Sequence, residues 1–281
     1  MSTGTVPHST ITSGTRLRYA LADGAVATRR ALLQITRVPT VLVFELIQPI
    51  MFTLLFRYVY QDAINFLPVD YVLFLMPGIF VQNAVFGSTT AAIGLAEDMK
   101  KGLVDRFRAL PMARSAVLVG RTTADLVKNL VLVLTMIGIG YVVGFRFKQG
   151  PVQALGVVVL VLAIGYAFSW ISACIGLALK QVEAVQAATF TWIFPVVFVS
   201  SVFLPVQGMA HALEVVARNN PMTHWANLAR YLSLGDIGIA HPETGVPIDT
   251  FEGLLFKSAI WIAGILVVFV PLAIRLYRRL T

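Results

Sequence analysis

Residues 97–121 read EDMKKGLVDRFRALPMARSAVLVGR, six basic and three acidic side chains in one short run. On either side lie apolar tracts of about twenty residues, the length at which a helix crosses the roughly 30 Å hydrocarbon core of a bilayer. So charged a stretch is too costly to bury in hydrocarbon. It therefore separates two membrane-crossing helices, sits at the water-facing side and offers a surface to a partner there.

The rest of the chain repeats that alternation. Of 281 residues, 57% are hydrophobic and 13% charged, where a soluble domain carries roughly 25% charged residues. The mean hydropathy is +0.79. The charges are clumped, and the tracts between them predict six helical spans at about 40–60, 71–95, 122–145, 152–179, 187–205 and 254–274. The expected class is an all-α integral membrane protein. Residues 1–15 are expected to be disordered, 16–38 to form an interfacial amphipathic helix, and 39–281 to form the six-helix domain. In the second of these segments Leu17, Leu21, Ala25, Thr28, Leu32 and Ile35 recur at helical spacing, with Arg18, Arg29 and Arg30 elsewhere on the wheel. The first apolar tract starts too late for a cleaved leader and is read as a retained span. A single cysteine, Cys174, precludes an intrachain disulfide.

Orientation follows from where the cations fall. Fifteen of the 22 Lys and Arg lie in the N-terminal segment, the 97–121 insert, at Lys180 or at the C-terminus. Five lie on the opposite side, and Arg57 and Lys128 fall within spans. Basic loops mark the cytoplasmic face, so both termini and the insert are expected there. The same placement explains the net charge of +8 without a nucleic-acid partner.

Within the insert, Met99, Leu103, Phe107 and Leu110 fall within about 80° of one another at about 100° per residue. Lys101, Asp105 and Arg108 project from the other side, so the apolar face either meets a partner or rests on the lipid headgroups. Glu97 and Asp98 are read as the helix start, where the dipole favours negative charge. Pro111 ends the helix, and Gly102 weakens it by about 1 kcal/mol relative to alanine.

Two charges lie well inside spans. Glu45 and Lys128 lie at comparable depths in the first and third spans, so they pair, or Glu45 lines the access path of a cationic substrate, or it is hydrated near the interface. The long loop 206–253 is expected to hold a partly re-entrant external helical hairpin, with Met209, Leu213 and Val216 facing lipid or the spans. Asn220 and Pro221 make its turn, and Arg230 follows. His211 and Glu214 have i, i+3 spacing but no third ligand, so no metal site is expected. Pro49, Pro77 and Pro195 interrupt three spans and permit kinks.

No Gly-Lys dipeptide occurs, which rules out a G-x-x-x-x-G-K-[ST] phosphate loop in this sequence. No catalytic constellation is apparent, so an integral membrane enzyme is disfavoured. No convincing repeat relates the two halves, as an ion-coupled secondary transporter would predict.

Several motifs occur in a telling order. Arg37-x-Pro39 and Gln48-Pro49 open the first span. The insert follows with Glu97, Lys101-Gly102, Arg106, Leu110-Pro111 and Arg114. Gly144-Phe145-Arg146 closes the third span, and Asn220-Pro221-Met222-Thr223 precedes Arg230. In these the chain resembles the permease subunits of type-2 ABC exporters, of the daunorubicin- and doxorubicin-resistance kind. The resemblance implies that the insert is a cytoplasmic coupling helix. Glu97, Met99, Lys101, Gly102, Leu103, Arg106, Phe107, Arg108, Leu110 and Pro111 would then meet a separate ATP-binding subunit.

It further implies two ATP-binding subunits carrying ATP and Mg, no cofactor bound directly here, and a second permease chain, identical or different. The assembly would sit in a bacterial cell membrane and export a hydrophobic or amphipathic compound such as a drug, antibiotic or lipid. The alternative cargo is a polysaccharide or glycolipid. That would favour a continuous aromatic lining, which Phe44, Phe52 and Phe56 alone do not make.

Overall fold

The computed structural model describes residues 39–59, 67, 69–100, 116–179, 181–207, 209–241, 244 and 247–280. The expected head 1–15, the interfacial segment 16–38, insert residues 101–115 and Lys180 lie outside the described residues.

Nine α-helices occur among the described residues: α1 (Pro39–Tyr58), α2 (Tyr71–Gly87), α3 (Thr89–Lys100), α4 (Ala116–Val143), α5 (Pro151–Leu179), α6 (Val182–Phe198), α7 (His211–Asn219), α8 (Pro221–Leu234) and α9 (Phe251–Leu280). A 3₁₀ turn, Gly235–Ile239, follows α8, and an isolated bridge joins Ala240 to Pro247. No described residue belongs to a β-strand.

Four stretches are long and apolar enough to cross a membrane: Tyr71–Glu97, Thr122–Val143, Pro151–Leu179 and Phe251–Tyr277. The protein is a multi-pass membrane protein. The expected first and fifth spans correspond to α1, of 20 residues, and α6, of 17; the latter is about 25 Å long.

Several boundaries differ from the sequence reading. Helix α6 begins at Val182, close behind α5, and ends at Phe198 rather than near 205. Pro195 offers no amide to its own helix, and the chain beyond Phe198 turns through 199–203. Helix α4 stops at Gly144, whose φ of +107° is left-handed territory that glycine enters without strain. The second span is interrupted at Ser88. Beyond it α3 runs on to Lys100, so Glu97 and Met99 occupy its last turn instead of opening a separate helix.

Burial separates centre from rim. In the second span 94% of the most apolar stretch is buried; in α9 only 6% is. Helix α2 is thus the core of the bundle, and α9 presents Phe256, Val267 and Val268 outward, as a lipid-facing helix does. Helix α5 packs against α2, α3, α4, α6, α8 and α9. Gly176 lets α5 approach α3 so closely that a methyl group there would lie 2.7 Å from the Ala92 carbonyl oxygen.

Candidate functional site

Three features stand out among the described residues, and α2 touches all of them. The first lies where α2 gives way to α3. Ala91 N–H bonds Ser88 O at 3.1 Å, so the Gly87 carbonyl lacks its usual partner four residues on. The Thr90 hydroxyl, at 2.8 Å, and Lys128, on α4 at 2.6 Å, fill the gap by donating to Gly87 O. The Lys128 ammonium also donates to Thr90 Oγ1 and to Glu45 Oε1 at 3.1 Å, and stands 3.0 Å from Asp125 Oδ1. Three protons are therefore shared among four oxygens from α1, α2, α3 and α4.

Lys128 and Asp125 are almost wholly buried. The structure thus places the two predicted intramembrane charges, Glu45 and Lys128, in contact, and adds a third. The sequence reading counted only two buried charges in the spans; Asp125, one helical turn before Lys128, is the correction. Its Oδ2 accepts from Asn129 at 3.4 Å, while Glu45 Oε2 is buried without a donor among the described residues. Two carboxylates face one ammonium.

The second feature lies near the other end of α2. Phe74 precedes Gly87 by 13 positions, about 20 Å along the helix axis. Here α7 and α8 form a hairpin. Asn220 caps α8 by accepting from Met222 N–H at 2.9 Å, while its own amide donates to Val196 O and Val199 O. Pro221 takes the first helical position, where its missing amide costs nothing.

Sequence counting placed Arg230 among the loop cations, yet it is 0% exposed. A long amphipathic loop helix gives little sign of being folded back into a bundle. All its guanidinium nitrogens are engaged: Nε donates to Phe74 O at 2.8 Å, Nη1 to Ser201 Oγ and Asn227 Oδ1, and Nη2 to Ser201 O and Val202 O. The group also lies 3.6 Å from the Phe74 ring centroid. No described carboxylate pairs with it. Gly78 completes the arrangement, because a methyl group there would overlap the Val202 carbonyl oxygen.

Above this cation opens a cavity of about 190 Å³, with Asn227, Thr223, His224, Gln207, Asp249 and Lys257 among its walls. Burial, seconded by the Lys257 ammonium and opposed by Asp249, lowers the His224 pKa from its ordinary value. On α7, Glu214 is held by Arg218, while Leu213 and Val216 are exposed.

The third feature is a strip of phenylalanine rings between α1 and α6. Phe190, Phe194 and Phe198 recur every fourth residue on one face of α6, with centroids 5.7 and 5.9 Å apart. Phe86 joins one end, 5.9 Å from Phe190 and 5.3 Å from Phe194. At the other end Phe203 lies 5.2 Å from Phe198 and 4.6 Å from Phe56, and Phe52 lies 5.3 Å from Phe203. Phe194 and Phe198 remain exposed. Phe44, singled out from the sequence, is exposed on α1 and meets no ring among the described residues.

Of the predicted docking residues, Glu97 and Met99 are described, and Met99 packs on the cluster of Leu95, Trp170 and Tyr277. Lys101, Gly102, Leu103, Arg106, Phe107, Arg108, Leu110 and Pro111 lie outside the described residues.

Comparison with known proteins places these features in context. The model of the ABC-2 type transporter family matches residues 25–234. The chain is similar to a daunorubicin resistance ABC transporter permease protein of Streptomyces coeruleorubidus, 29% identical over 99% of this chain and 98% of the relative. A probable doxorubicin resistance ABC transporter permease protein of Mycobacterium tuberculosis is 27% identical over 93% of this chain and 90% of its own. A putative transport permease of Cyanophora paradoxa is 26% identical over 74% and 72% respectively.

Proposed function

The chain belongs to the ABC-2 type transporter family, and we propose that it is the membrane-spanning subunit of an ATP-driven exporter of hydrophobic or amphipathic compounds. The observation that carries this is the match over residues 25–234, supported by relatives named for daunorubicin and doxorubicin resistance that align along nearly their whole length. The chain crosses a bacterial cell membrane six times, with α1 and α6 as the first and fifth spans and both termini cytoplasmic. ATP and Mg bind a separate ATP-binding subunit, present in two copies, and a second permease chain completes the path.

The insert is the docking element. Met99, Leu103, Phe107 and Leu110 supply its apolar side, and Arg106 and Arg108 its charge. A push on it is delivered to the last turn of α3, and from there to the break at Ser88 and the Lys128 cluster. Co-purification of the chain with its ATP-binding subunit, repeated after Phe107→Asp, tests this. Association is expected to be lost; undiminished association removes the insert as the contact.

The phenylalanine strip supports a second cargo reading. A run of flat, partly exposed ring faces suits a planar aromatic compound and also a sugar chain. Competition by a planar aromatic amine against a lipid-linked oligosaccharide in vesicle transport separates the two. Inhibition by the amine alone favours the first.

A further inference from the structure

We propose that the cavity between the α7–α8 hairpin and the start of α9 binds a hydroxylated phosphate ester, of the phosphoglycerol type. This reading stands apart from ATP-driven transport and concerns the permease alone.

The polar walls are arranged in an unusual way. Arg230 beneath them draws acceptors inward. Asn227 Oδ1 accepts from Arg230 at 2.9 Å and from Ser201 Oγ at 3.2 Å, which leaves the Asn227 NH₂ group for the cavity it lines. Thr223 Oγ1 accepts from Ser201 N–H at 3.0 Å, which leaves its hydroxyl proton to donate. His224, Lys257 and Arg218 add further donors to the wall.

The rim charges are balanced in pairs: Lys257 with Asp249 at 2.5 Å, and Arg218 with Glu214 at 2.5 Å. Asp249 is further committed to the Thr250 N–H at 2.9 Å. The buried Arg230 has no such balance. A cation in a low-dielectric setting with only neutral acceptors around it favours an anion nearby. The donor-rich wall is where that anion fits.

One wall atom asks for the opposite chemistry. Gln207 Oε1 is buried with no donor among the described residues. The ionised phosphoryl group of an ester has no proton to offer it, whereas free hydroxyls elsewhere on the same ester do. A phosphoryl group against Asn227, Thr223 and Lys257, with a hydroxyl against Gln207, satisfies both demands.

Such an ester is available as a lipid headgroup or as a free solute, and one experiment separates them. The full chain is purified without any ATP-binding subunit from nanodiscs of equal phosphatidylglycerol and phosphatidylcholine, and retained lipid is counted by native mass spectrometry. Retention of phosphatidylglycerol over phosphatidylcholine by about ten-fold, the worth of one charge-assisted contact, is expected. Lys257→Gln should cut that preference about five-fold, and Gln207→Leu should lower it while leaving binding of a plain phosphate monoester unchanged. Displacement by millimolar glycerol 3-phosphate would identify the free ester as a ligand; retention that it does not displace identifies the lipid. Equal retention of both lipids with no glycerol 3-phosphate binding overturns the proposal. So does a preference that neither substitution alters in monodisperse protein.

Discussion

Two buried cations sit at opposite ends of α2, and they are satisfied in opposite ways. Lys128 faces two carboxylates and draws oxygens from four helices. Arg230 faces none and is held by carbonyl, amide and hydroxyl oxygens of α2, α8 and the 199–203 turn. A guanidinium presents five donors in a rigid plane, so its site tolerates one geometry. An ammonium on a flexible stem can exchange partners as helices shift. The difference separates two kinds of brace: Arg230 holds the hairpin in one geometry, whereas Lys128 ties four helices together through a flexible stem.

The sharpest way to break that contrast is at Arg230. Replacing it with Leu strips donors from several buried oxygens, each loss costing about 1–3 kcal/mol. Arg230→Lys does little better, because three donors cannot meet five demands. Size-exclusion profiles in mild detergent should show loss of the monodisperse protein for both. A well-behaved Arg230→Leu protein would remove the bracing role.

Lys128→Met comes next. It leaves two acids buried with no cation, at about 3–5 kcal/mol, and should lower the unfolding temperature markedly. Adding Glu45→Gln and Asp125→Asn should recover most of the loss, since removing every charge avoids the uncompensated state. If the triple variant is no more stable than Lys128→Met, the cluster is not an ionic unit.

Glu45→Gln alone keeps an acceptor for Lys128 and leaves it matched one-to-one with Asp125, so stability should change far less than in Lys128→Met, yet transport in vesicles should slow several-fold. Unchanged rates across substrates would remove its direct role. The smallest effect is expected at Phe194→Leu. Loss of one cargo contact, worth about 0.5–1.5 kcal/mol, should raise KM for an aromatic cargo, and because the ring also meets Phe86, Phe190 and Phe198 the unfolding temperature should fall slightly.

How much of this was legible in the sequence depends on whether the determinant is local. Apolar tracts placed most of the helices, because the bilayer demands length and composition that a window can see. Asn220-Pro221 announced the hairpin turn, since a capping side chain followed by proline acts within a few residues. Asp125 was legible too, lying one turn before Lys128, but a carboxylate near the start of a span reads as an interfacial residue until its neighbours are known. Arg230 was not legible. Its partners are Phe74, Ser201 and Val202, and nothing local signals that a loop helix folds back onto them. The phenylalanine strip was half legible: the spacing of Phe190, Phe194 and Phe198 is helical, but Phe86, Phe203, Phe56 and Phe52 come from elsewhere. The end of α6 was misplaced because the residues beyond Phe198 stay apolar while the backbone turns to supply Arg230 with carbonyl groups.

The most direct test of the mechanism is transport by reconstituted vesicles containing the permease with and without its ATP-binding subunit, in the presence of ATP and Mg. Cargo should accumulate only when both proteins and hydrolysable nucleotide are present. Full-rate accumulation by the permease alone would contradict a motor housed on another chain.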